Sequence, residues 1–192
     1  MITFTGKIFS SFQVALGLEP KGRKLTEAEA DALQKIFAGA VDLDKILIKE
    51  GYIGAMGVSK RAFTFCNTIY IPGNVYDAPG TPLYLQLLVH ESVHVWQFQN
   101  GGTDYMAASV KAQIKGWWHG DIGIAYEYER GIKDGKLWAG LNPEQQARLI
   151  EDAYAFGLFG DANKTMADHN GEDITQYARA AIVELLAGQG AA

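Results

Sequence analysis

His90, Glu91 and His94 form the pattern H-E-x-x-H within His90-Glu91-Ser92-Val93-His94. On a helix, residues four apart lie one turn above each other on the same face. Both imidazoles can then reach one ion, with Zn–N distances near ~2.0–2.1 Å. Glu91 stands one step round from His90, close to such an ion without being a first choice as ligand. A carboxylate there can hold a water and take its proton, because zinc lowers the pKa of that water towards ~7. Gln97 extends the same face at i, i+4, i+7 and is a candidate to orient a ligand or the water. Two histidines and a glutamate buried together are costly unless something pairs them.

The element that must carry these residues is a helix. Thr81-Pro82 has the form of an N-cap followed by proline at the first helical position. Leu87, Leu88, Val89, Val93, Val95 and Trp96 surround the motif with apolar side chains. Asn100-Gly101-Gly102 is expected to stop the helix, and a second helix is expected after Asp104, ending near Gly116. Upstream, Pro20 to Lys24 is basic and turn-like. Thr26 opens a helix with Glu29 in capping-box position. Leu43–Ile48 leans towards β. Ala62–Phe65 and Thr68–Ile71 flank Cys66-Asn67 as a hairpin. Downstream, Asn142-Pro143 starts a helix to about Gly157, and an amphipathic helix spans roughly Asp173 to Leu186. Strands first and helices later predict an α+β fold. One domain is expected over 1–192, with a mixed part to residue 80 carrying a short sheet. The mainly helical part from 81 carries the metal site.

The run Leu88-Val89-His90-Glu91-Ser92-Val93-His94-Val95-Trp96-Gln97 resembles that of zincin metallopeptidases. More narrowly, it is similar to the bacterial H-E-x-x-H-x-x-Q peptidase domains of some polymorphic toxins and type VI secretion effectors. The resemblance spans roughly residues 60 to 155, and its second part, Asn142-Pro143-Glu144-Gln145-Gln146-Ala147, is the weaker. It is not metzincin-like, since Gln97 and Asn100 stand where glycine and a third histidine would be. The resemblance implies a zincin-like core on which the small N-terminal sheet packs. It implies a gluzincin ligand set, in which a glutamate from a later helix completes the site and an aspartate follows four residues on. Glu144 fits that place, but Arg148 stands where the aspartate would be. Glu151, which precedes Asp152, is the alternative third ligand. The two are about 10 Å apart along a helix at ~1.5 Å per residue, too far to bind one ion together. His119, Glu127 and His169 are the remaining candidates. Zincins also place a tyrosine or histidine against the developing oxyanion, which makes Tyr126 and Tyr128 candidates. They run an edge strand beside the active-site helix for an extended substrate, and Thr68–Ile71, the strand just before it, is either that edge or an ordinary strand of the sheet.

Composition narrows the alternatives. The 192 residues carry a formal net charge of -5 and 48% hydrophobic residues, which suits a folded domain. A pI near 5.3 argues against a nucleic-acid-holding protein. No apolar run reaches the ~18 residues of a membrane span. A single cysteine, Cys66, excludes an internal disulfide and a cysteine-cluster metal site. The expectation is a zinc-dependent metallopeptidase with Glu91 as general base, acting on a peptide or protein and linked to a secretion system. It resides in the cytoplasm or leaves by a route that reads no N-terminal signal. Two rivals stand beside it: a non-catalytic zinc-binding module of a toxin or secretion system, and a metal-free helical interaction protein using the aromatic segment Trp117-Trp118-His119.

Overall fold

The computed structural model describes residues 21–51, 61–119 and 127–191, with only the helical backbone described over 102–119. The element order is α1 (Glu27–Phe37), a 3-10 turn (Leu43–Lys45), β1 (Leu47–Glu50), β2 (Phe63–Phe65), β3 (Thr68–Ile71), α2 (Gly73–Tyr76), α3 (Pro82–His119), α4 (Tyr128–Lys133), a second 3-10 turn (Trp138–Gly140), α5 (Pro143–Ala155) and α6 (Thr175–Leu186). Among the described residues this is an α+β arrangement of six helices and one three-stranded sheet.

Local chemistry starts the helices where the sequence predicts. Thr26 and Glu29 form a complete capping box on α1, and Asn142 with Gln145 forms another on α5, with Pro143 at its first position. The Thr81 hydroxyl accepts from the Tyr84 backbone N–H at 3.3 Å, capping α3. The hairpin also forms, with Phe63 opposite Tyr70 and Phe65 opposite Thr68, so that Cys66-Asn67 is a two-residue turn.

Two expectations are corrected. Helix α3 does not stop at Asn100-Gly101-Gly102 but runs unbroken to His119. The Asn100 amide donates to the Trp96 carbonyl one turn back and to the Ala40 carbonyl, so it anchors the helix instead of ending it. A glycine inside a helix costs only ~1 kcal/mol, which such packing outweighs. The strand Thr68–Ile71 is the centre of the sheet, whose order is β1-β3-β2. It pairs parallel with β1 and antiparallel with β2, so both its edges are occupied and it cannot receive a further strand. The strand at the sheet's edge beside α3 is β2.

The core explains why α3 is buried on every side around the motif. Every residue from Leu88 to Gln97 is buried. The sheet and α1 cover one side, and α5 covers the other. Leu33, Ile36 and Phe37 of α1, Ile48 of β1 and Ile69 and Ile71 of β3 meet Leu88, Val89 and Val93 in one cluster with Leu149, Ile150 and Ala153 of α5. Arg23, in the turn-like basic segment, pairs its backbone with Ile48 and closes the outer side of β1. Its guanidinium grips both Glu29 oxygens at 2.7 and 2.8 Å and the Tyr84 hydroxyl at 2.9 Å, tying α1 to the start of α3.

Candidate metal centre

The motif helix passes between sheet and helices, so its chemistry is enclosed. His90, Glu91 and His94 are each at most 8% exposed. Glu144 sits in the first turn of α5, where the helix dipole favours a carboxylate. Its Oε2 lies 3.3 Å from His90 Nε2 and 3.4 Å from His94 Nε2. A tetrahedral ion bound at ~2.0–2.1 Å separates its ligand atoms by about 3.3–3.4 Å, which these two spacings match. His90, His94 and Glu144 are the one group among the described residues whose ligand atoms could hold a metal ion. Two imidazoles and a carboxylate are also the donor set such an ion takes when it keeps a fourth position open.

The outer nitrogens of both rings are held. His90 Nδ1 lies 3.0 Å from Glu151 Oε2, and His94 Nδ1 lies 2.8 Å from Gln97 Oε1. Glu144 and Glu151 therefore do not compete for one ion. They grip opposite nitrogens of the same imidazole, one from each of two turns of α5. This fills the place left open by Arg148. The arginine at that position holds Glu151 at 3.3 Å and Asp152 at 3.1 Å, and the acid that faces the histidine comes three residues later. A partner of this kind fixes ring orientation and strengthens the ligand.

Charge is balanced within the cluster. Burial favours the neutral form of His90, but Glu144 and Glu151 outweigh it and raise the ring to about 10. His94 is likewise raised, burial again being overcome by Glu144 and Glu91. Burial works against the Glu144 carboxylate, yet His94 and His90 hold it well below the usual range. Glu91 goes the other way: burial raises it, against the pull of His94, His90 and the Thr64 hydroxyl. A divalent cation entering the cluster would take the place of the imidazole protons.

Glu91 faces the sheet. The Thr64 hydroxyl on β2 lies 2.8 Å from Glu91 Oε2 and 3.0 Å from its carbonyl oxygen, and donates to them. The edge strand thus touches the carboxylate directly. Sequence reasoning did not single out Thr64, and a lone threonine in a short β run carries no signal for this contact. It also missed Gln146. Here a signal existed, because Gln146 occupies the apolar i, i+3, i+4, i+7 stripe completed by Leu149, Ile150 and Ala153.

Other candidates lie elsewhere. Tyr128 is buried on α4, but its hydroxyl donates to Asp152 at 3.0 Å and not to a cluster residue. Burial and Asp152 both raise it. Glu127 is exposed, and its carbonyl accepts from the Gln145 amide. His169 is exposed and pairs with Glu129 at 3.1 Å. Tyr126, and the side chains of Trp117, Trp118 and His119, lie outside the described residues.

No helix among the described residues is long and apolar enough to cross a membrane. No protein-family model matches the chain, and no curated protein matches it. Among solved structures, the fold is similar to the effector domain of Pseudomonas aeruginosa VgrG2b, with a TM-score of 0.54 and 24% identity over 79% of this chain and 89% of that one. At that identity the likeness is one of fold: the chain shares the architecture of a bacterial effector domain.

Proposed function

We propose that the protein is a zinc metallopeptidase of the zincin type, with a gluzincin ligand set. The observation that carries this is the convergence of His90 Nε2 and His94 Nε2 on Glu144 Oε2, at 3.3 and 3.4 Å, beside the buried Glu91. When bound, zinc supplies Lewis acidity, polarising a scissile carbonyl and making water acidic near neutral pH. The chain's own residues do the rest. Glu91 takes the proton of the attacking water and passes it to the leaving amine. Its raised affinity for a proton suits both halves of that task. Glu151 and Gln97 hold the two histidine rings with Nε2 towards Glu144. An extended peptide can add to β2, the edge strand whose Thr64 already touches Glu91.

The likeness to an effector domain supports the further reading that the enzyme is delivered by a secretion machine and acts on a protein of the target cell. The rival of a zinc-binding module without catalysis drew its support from Arg148. That support weakens, because Glu151 supplies the carboxylate that Arg148 does not. The test is mapping of new peptide termini in a cell lysate treated with zinc-loaded protein. Wild type should generate termini that Glu91→Gln does not, with the rate lower by about 10²–10⁴-fold. Equal cleavage by Glu91→Gln, or none by the wild type, overturns the proposal.

A further inference from the structure

A buried chain of amides runs from the metal cluster to the C-terminal segment, and its direction is fixed at the far end. Gln146 is fully buried. Its Nε2 donates to the Trp138 carbonyl at 3.0 Å and the Gly190 carbonyl at 2.7 Å. Carbonyls only accept, so the NH₂ of Gln146 must face them and its Oε1 must face the other way. There it meets Gln97 Nε2 at 2.9 Å. Gln97 Nε2 also donates to the Pro143 carbonyl, at 3.0 Å. With its NH₂ used on two acceptors, Gln97 has only Oε1 left for His94 Nδ1, at 2.8 Å. An amide oxygen there requires Nδ1 to carry the hydrogen. Nε2, which faces Glu144, is then the nitrogen left to give up its proton and coordinate an ion.

We propose that Gln146 is a positioning residue for the metal centre. Anchored on Trp138 and Gly190, it acts with the Pro143 carbonyl to set which way the Gln97 amide points, and through it which nitrogen of His94 is offered to the metal. The proposal rests on the metal reading above and adds to it a residue that touches neither ion nor substrate. Without Gln146, the Gln97 NH₂ keeps only the Pro143 carbonyl of its two acceptors, and the amide is less firmly held against turning over to present NH₂ to His94 Nδ1, the orientation that selects the wrong tautomer for Nε2 ligation. The segment that supplies the anchor is itself held, since Trp138 Nε1 donates to the Gln189 carbonyl at 3.0 Å and Trp96 Nε1 to the Leu185 carbonyl at 2.9 Å.

The experiment is zinc affinity by chelator competition on the full chain, for wild type, Gln146→Met, Gln97→Leu and the double variant. Removing a partner that orients a ligand costs 10–100-fold in metal affinity, and Gln146→Met should fall in that range. The proposal also requires non-additivity: once Gln97 is leucine, changing Gln146 should cost nothing more. A purely structural role for Gln146 would persist in the Gln97→Leu background, and that result overturns the proposal. Should Gln146→Met not fold, Gln146→Leu is measured in its place, alone and with Gln97→Leu, under the same two expectations. Wild type that binds no zinc removes the metal reading and this inference together. Wild-type binding with unchanged affinity in Gln146→Met removes this inference alone.

Discussion

Glu144 and Glu151 are two carboxylates on one helix that touch the same imidazole, and their unequal roles can be separated by zinc affinity. Glu144 Oε2 faces the Nε2 atoms of both histidines, whereas Glu151 Oε2 meets only His90 Nδ1. Removing Glu151 leaves the three proposed ligands in place but frees the His90 ring. The expected loss for Glu151→Leu is about 10–100-fold, or roughly 1.4–2.8 kcal/mol at ~1.4 kcal/mol per tenfold. Glu151→Gln keeps an oxygen for Nδ1–H and loses only charge, part of which Arg148 already offsets at 3.3 Å. Its loss should stay within about tenfold. Glu144→Ala removes a ligand and should cost at least a further tenfold beyond Glu151→Leu. The assay is competition against a chromophoric chelator at fixed pH, with thermal unfolding of the metal-free variants as a check on folding. Wild-type affinity in Glu151→Leu would refute the reasoning. So would a loss as large as that of Glu144→Ala, because Glu151 would then be acting as a ligand itself.

Three further outcomes follow from the structure. Because Glu144 and Glu151 raise metal-free His90 to about 10, its ring is doubly protonated at pH 7, and zinc can bind Nε2 only by displacing a proton. Calorimetry in buffers of different ionisation enthalpy should show release of about one proton or more per zinc, and none would contradict this. Glu29 is lowered to about 2; burial opposes its charge, but Arg23, Tyr84 and the Thr26 backbone more than compensate. A depressed carboxyl contributes stability that is complete above its unfolded value of 4.5 and lost as pH falls towards 2. Allowing for the partial exposure of Arg23, about 1–2 kcal/mol is at stake, and acid unfolding curves of Glu29→Gln should be flatter across that window. Ala38 closes α1 in the left-handed region at φ 43°. Ala38→Gly should gain about 0.5 kcal/mol, because the relief of the left-handed backbone slightly exceeds the chain entropy of glycine. A fall in Tm would contradict that balance.

What could be seen in the sequence was what is decided locally. The starts of α1, α3 and α5 depend on a cap and the residues one turn on, and those pairs stand next to each other in the chain. The H-E-x-x-H spacing is equally local, so His90, Glu91 and His94 stood out before any fold was known. The misread features were decided at a distance. Asn100-Gly101-Gly102 has the chemistry of a stop, yet Ala40, sixty residues away, takes the Asn100 amide. Thr68–Ile71 is the strand nearest the motif in sequence, but pairing with β1 and β2 places it at the centre of the sheet. The Glu144–Glu151 spacing argued against shared ligation of one ion. It gave no hint that the two nitrogens of one ring could take one carboxylate each. The Gln97–Gln146 contact joins α3 to α5 and is invisible to any local pattern.

The central claim is that His90, His94 and Glu144 hold zinc. Elemental mass spectrometry of the tag-free protein, for wild type and His94→Ala, tests it most directly. About one zinc per chain is expected in the wild type, and its loss in His94→Ala. Wild type that holds no zinc after equilibration with Zn²⁺ would contradict it, and the H-E-x-x-H of this helix would then be a pattern without a metal.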